Sequence, residues 1–210
     1  MRHRSFASRI APPRSPRSAP AVRSSKRKHL PAGEFAATVG VCDGRLAGYF
    51  SAYPNGTLDP AGLVKGWAIQ RASQMLAAAG STSHCVNGGG DVHCAGRPHA
   101  GALWRVGVAD PARAAELVAV VAGTDMAVAT SGSAERGAHI VNPRTGRAPT
   151  ALASVTLIGS DLGSTDAYAT AAFAMEHDAP AWIDTLEAYR GLVIFADGRQ
   201  WSSANFATQS

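Results

Sequence analysis

The chain has 210 residues, 46% of them hydrophobic, which suffices to bury the core of one ordinary domain. Its formal charge of +5 sits at one end: the first 30 residues hold seven Arg, two Lys and no acid, so the remainder carries 11 bases against 15 acids. An acid excess beyond residue 30 argues against a nucleic-acid-binding domain, which needs a basic face on the folded part.

Cys42, Cys85 and Cys94 are odd in number and lack disulfide-like spacing, which predicts thiols in a reducing compartment. The N-terminus has no apolar run of signal-peptide character and no window reaches membrane-spanning length. A soluble, cytoplasmic protein with no membrane span is expected.

In chain order, residues 1–34 are basic and rich in Ser, Pro and Arg, a composition that predicts a disordered tail, with a domain over 35–210. Val39 to Tyr53 is turn-rich, and Pro54-Asn-Gly56 marks a tight turn into Asp59-Pro60. Leu63, Val64, Trp67, Ala68, Ala72, Met75, Leu76 and Ala79 then recur at helical spacing, with Gly80 as the C-cap. Short strand-like runs follow at His84–Asn87, Asp91–Ala95, Trp104–Ala109, Leu117–Ala122, Met126–Thr130, His139–Asn142 and Ser154–Gly159, bounded by Gly, Pro, Asp or Asn. Thr165–Met175 reads as an Ala-rich helix capped by Ser164 or Thr165, with a second helix near Pro180–Tyr189. Gly191–Ala196 is a last long strand, turned by Asp197-Gly198 into Arg199–Ser202. Hairpins with few βαβ periods predict an α+β fold with a largely antiparallel sheet.

Several groups carry candidate chemistry. Asp166 and Thr170 stand four residues apart, so one helix face offers a carboxylate and a hydroxyl to a cation such as Mg²⁺; the competing reading is a first-turn acid favoured by the helix dipole. Around Asp59, Gly62, Lys65 and Gly66, backbone N–H groups and an ammonium at a helix start suit a phosphate, or else Asp59 is a plain N-cap. Asn87-Gly-Gly-Gly-Asp91 is a turn or a backbone wall against a nucleotide, without a Walker ending. His84-Cys85 and His93-Cys94 invite zinc, but strand alternation sends neighbouring His and Cys to opposite faces. His139 is a structural histidine or a base acting near neutral pH. Ser131-Gly-Ser133 lacks the G-x-S-x-G frame of a serine hydrolase.

In order, Asp59–Ala68 (D-x-x-G-x-x-K-G-x-A), Asn87–Asp91 (N-x-G-G-D), Ser131-Gly132, His139–Gly146 (H-I-x-[ND]-P-x-T-G), Ser154-Val-Thr156 and Thr165–Thr170 resemble the ApbE-like FAD:protein FMN transferases over roughly residues 40–206. The resemblance implies a T-fold-like architecture and a Mg²⁺-dependent reaction that splits FAD, releases AMP and attaches FMN to a Thr or Ser of an acceptor flavoprotein. Asp166 and Thr170 would bind Mg²⁺ by side chains, with backbone oxygens of Gly62 and Ala169 nearby. Asp59, Lys65 and Ile140 would contact FAD, and His139 would be the base for the acceptor hydroxyl. Family members usually carry further residues before the position of Val39, so the N-terminal part of the family domain is expected to be missing here. The alternatives are a non-catalytic flavin-binding remnant and a Mg²⁺-dependent FAD pyrophosphatase.

Overall fold

The computed structural model describes residues 46, 48–50, 61–113, 115–133 and 140–206, all within the compact unit Pro31–Ser210. The expected tail over 1–34, the turn at 54–56, Asp59 and His139 lie outside the described residues.

Helix α1 (Ala61–Ala78) leads into an antiparallel hairpin of β1 (His84–Gly88) and β2 (Asp91–Ala95). Gly89 and Gly90 turn it with φ of +60° and +88°, angles at which a side chain would clash. A second hairpin, β3 (Trp104–Ala109) with β4 (Leu117–Gly123), forms a separate two-stranded ribbon. The chain then lays down β5 (Met126–Gly132) and β6 (Leu152–Gly159), followed by α2 (Leu162–Met175). A 3-10 turn (Glu176–Asp178) and α3 (Ala179–Asp184) precede β7 (Arg190–Phe195) and β8 (Gln200–Ser202). The main sheet has the order β1-β2-β5-β6-β7-β8, with every pairing antiparallel.

Alternation along the central strands feeds two separate cores. Ala127 and Ala129 of β5, Val155 and Leu157 of β6, and Val193 and Phe195 of β7 join the core beneath the helices. Met126 and Val128, Ile158, and Leu192 and Ile194 join the other core, against Val108, Ala119 and Val121 of the ribbon. Because helices cover one face and the ribbon the other, these strands are apolar on both sides. Helix α2 lies in the helical core; Ala167, Ala169, Ala171, Ala172 and Ala174 are all fully buried. Their small side chains allow close approach of the sheet and of α1.

That approach is tightest at Gly66. A Cβ there would stand 2.5 Å from the Leu162 carbonyl oxygen and 2.8 Å from Asp166 Cβ. Gly66→Ala gains roughly 1 kcal/mol of helix propensity but forces two backbones apart at an overpacking cost of about 1–3 kcal/mol. Since a main-chain carbonyl cannot rotate aside, the clash wins. We expect a thermal midpoint several degrees lower; an unchanged midpoint would show that the helices separate freely.

Four expectations are corrected. Of the strand expected over His139–Asn142, the described residues 140–142 form none: Asn142 makes an isolated bridge with Arg147, its Oδ1 accepts the Arg144 N–H and its Nδ2 donates to the Ala174 carbonyl. Pro143 cannot extend a ladder there. Helix α2 is capped by Asp161, whose carboxylate accepts the Ser164 N–H at 2.8 Å, and not by Ser164 or Thr165. Asp166 therefore lies beyond the first turn and the dipole explanation for it lapses. Helix α3 ends at Asp184, well before Tyr189, because successive turns at Leu186 and Tyr189 bring Tyr189 to 4.9 Å from the Tyr168 ring. Finally, the buried side of α1 is Leu63, Gly66, Ile69 and Ser73, whereas Val64, Met75 and Leu76 are exposed.

Candidate active site

Three elements meet at Gly66 and place charged groups out of water. Lys65, on the first turns of α1, extends its Nζ to 2.7 Å from Asp91 Oδ2 at the start of β2. The same ammonium stands 3.9 Å from Asp166 Oδ1 on α2. Side-chain exposure is 26% for Lys65, 1% for Asp91 and 4% for Asp166, so the carboxylates are sequestered and the lysine reaches them from the surface.

Backbone donors complete the arrangement. The Gly66 N–H, whose helical acceptor would be the Gly62 carbonyl, donates to Asp166 Oδ2 at 3.0 Å. The Thr130 N–H of β5 donates to Asp91 Oδ1 at 3.2 Å. One turn along α2 from Asp166, the Thr170 hydroxyl lies 3.1 Å from the Ser131 hydroxyl of β5. Ala169, next to Thr170 on α2, is fully buried.

Two carboxylates with one ammonium leave the cluster one negative charge in excess when both ionise. Burial, reinforced by the charge of Asp91, pushes Asp166 up to about 7. Burial also raises Asp91, against the opposing pull of Lys65. Each proton held this way marks a place where an added cation would be welcome. Among the described residues, Asp91 Oδ2 has the Lys65 ammonium beside it but no well-formed hydrogen bond, and Asp166 Oδ1 is beyond hydrogen-bond reach of that ammonium. Carboxylate and hydroxyl oxygens are the donors that Mg²⁺ prefers, so these residues fit it chemically. No group of three or more His, Cys, Asp and Glu occurs among the described residues, which leaves hydroxyl and backbone oxygens to complete any shell.

Of the expected site residues, Lys65 stands 3.9 Å from Asp166, Ala169 and Thr170 follow Asp166 along α2, and Gly62 lies in the first turn of α1. Ile140 is buried in the helical core. Asp91, in sequence only the end of a glycine run and the start of a strand, is a participant that sequence reasoning does not single out: its carboxyl is the direct partner of Lys65. An acid opening a strand directly after two turn glycines is the signal that could have found it.

The His and Cys pairs of the hairpin separate as alternation requires. His84 Nε2 and His93 Nδ1 meet the Ser73 hydroxyl of α1 at 2.7 and 2.8 Å, while Cys85 and Cys94 face one another on the opposite side.

The model of the ApbE family matches residues 26–192, most of the chain. The chain belongs to the ApbE family. An FAD:protein FMN transferase of Rhodobacter capsulatus is 34% identical over 129 residues, 58% of this chain and 24% of that protein. The crystal structure of the ApbE protein of Thermotoga maritima superposes with a TM-score of 0.66 at 30% identity, covering 71% of this chain and 52% of that one. The flavin transferase ApbE of Vibrio cholerae gives a TM-score of 0.64 at 25% identity, covering 73% and 52%. The chain therefore spans about a quarter of the curated relative and about half of these solved ApbE structures. Its mixed, largely antiparallel fold is that of the ApbE proteins. No helix among the described residues is long and apolar enough to cross a membrane.

Proposed function

We propose that the chain carries out Mg²⁺-dependent FAD:protein FMN transfer, with FAD as donor and a Thr or Ser hydroxyl of an acceptor flavoprotein as recipient. The observation that carries this reading is the buried Asp91–Lys65–Asp166 cluster with Thr170 one helical turn away, in a chain whose relative of known activity moves FMN.

Asp166 and Thr170 would hold the cation by side-chain oxygens and Gly62 and Ala169 by backbone oxygens. When bound, Mg²⁺ supplies charge neutralisation for the FAD pyrophosphate. Lys65 serves the same end: its ammonium, mounted near the α1 N-terminus, is placed to pair with a phosphate oxygen, and Asp91 holds its stem inward until then. Asp59 and Ile140 complete the flavin contacts. His139 takes the proton of the acceptor hydroxyl, whose oxygen bonds to the FMN phosphorus as the bond to the AMP oxygen breaks. Asp166, buried and hydrogen-bonded by Gly66, is fixed in place and needs no reorganisation. The cytoplasmic location and the domain over 35–210 belong to the same proposal.

The test is mass spectrometry of a flavin-acceptor domain incubated with the full chain, FAD and Mg²⁺, with an EDTA control. We expect an FMN adduct on one Ser or Thr, with AMP released in equal amount and both lost in EDTA. Free FMN and AMP without an adduct would point instead to a pyrophosphatase. FAD binding without AMP would leave a flavin-binding remnant and overturn the catalytic reading.

A further inference from the structure

The hairpin that carries Asp91 has a second chemical feature on its other face. Cys85 of β1 and Cys94 of β2 are direct cross-strand partners, and their sulfurs stand 3.1 Å apart, with the Cys94 thiol donating to Cys85. Cys85 is exposed to solvent; Cys94 is fully buried, in the core under the ribbon.

Backbone geometry favours joining them. The two-residue turn makes Gly88↔Asp91 a hydrogen-bonded pair, and pairs alternate outward from it, so Cys85↔Cys94 is a non-hydrogen-bonded pair. Such pairs bring Cα atoms to about 4.5 Å, within the roughly 4.4–6.8 Å that a disulfide spans. Strand separation therefore already satisfies the bridge.

We propose that Cys85 and Cys94 form a thiol–disulfide site, closed by a small disulfide oxidant such as oxidised glutathione. Cys85 gives up its proton to solvent and its sulfur bonds to one sulfur of the oxidant, breaking the oxidant's S–S bond and releasing one glutathione thiolate. Cys94 then loses its proton and attacks Cys85 Sγ, forming the protein disulfide and expelling the second glutathione thiolate. Two protein thiols lose two electrons and one oxidant disulfide becomes two thiols. The order follows from access and burial: solvent reaches Cys85, while burial pushes the Cys94 thiol up and keeps it from starting the exchange. Closure would staple β1 to β2 beside the turn that positions Asp91. The site is independent of the flavin reading, since neither thiol faces the Lys65 cluster.

The experiment treats the reduced full chain with oxidised glutathione, quenches with iodoacetamide and maps the peptides. The expected product is a Cys85–Cys94 cross-linked peptide, two hydrogens lighter than the reduced pair and reopened by dithiothreitol, with both cysteines lost to alkylation. In Cys94→Ser the reaction should stop at a glutathione adduct on Cys85, and in Cys85→Ser the remaining Cys94 should stay unmodified. A lasting Cys85 adduct in the unmutated chain, or a cross-link to Cys42 in place of Cys94, would overturn the proposal.

Discussion

Asp166→Asn should lower FMN transfer by roughly a hundredfold or more, because a charge that offsets several kcal/mol in the transition state is removed and each 1.4 kcal/mol is about a factor of ten. The amide keeps an oxygen for the Gly66 N–H, so the helix crossing survives. It also removes one of two buried carboxylates that share a single ammonium. Asp166 has a folded pKa of about 7 against an ordinary 3.8. Between those values the folded state holds more protons than the unfolded one, so stability falls as pH rises through that window. In EDTA the unmutated chain should lose thermal stability from pH 4 to pH 7, while the variant should show a flatter profile and match or exceed it at pH 8. Activity measured with Mg²⁺ in place of EDTA over the same pH range separates the roles: full transfer by the variant would remove Asp166 from the metal site, and a much lower midpoint at pH 8 would make it a structural residue.

Lys65→Met acts on the same cluster in the opposite sense. It leaves Asp91 and Asp166 buried with no cation among their described partners. Removing one member of a buried ion pair costs about 3–5 kcal/mol, and the lower figure applies since Lys65 is 26% exposed. For a domain of this size that is a fall of roughly 10 °C in midpoint. The loss should be largest at pH 8, smaller at pH 5 where the carboxyls take up protons, and partly recovered by millimolar Mg²⁺. A loss independent of both pH and Mg²⁺ would show that the stem of Lys65, not its charge, is what the fold requires.

The local elements were largely readable because their signals are local. Glycine turns and β-branched runs located every strand of both sheets, and strand alternation correctly divided the His and Cys of the hairpin between two faces. Misread elements are those decided by contacts from afar. On α1 the apolar spacing includes Met75 and Leu76, which are exposed, whereas the crossing with α2 selects small Gly66 and the hairpin histidines select Ser73. Helix α2 starts at Leu162 because Asp161 caps it and Gln70 of α1 accepts the Leu162 N–H, a bond between residues 92 positions apart. Asp91 was missed for the same reason: its meaning depends on a lysine from another element and on burial, neither of which its neighbours record.

The ribbon of β3 and β4 shares no ladder with the main sheet. Side-chain packing and the bond from the Trp104 indole to the Ala95 carbonyl attach it. The Lys65 cluster lies on the far side of the sheet, under the helices. Sequence drift in the ribbon, including changes in the length of its connecting loop, therefore breaks no strand pairing that positions Asp91 or Thr130. The architecture places the ribbon and the Lys65 cluster on opposite faces of one sheet, so a change in the ribbon reaches the cluster only through the strands between them.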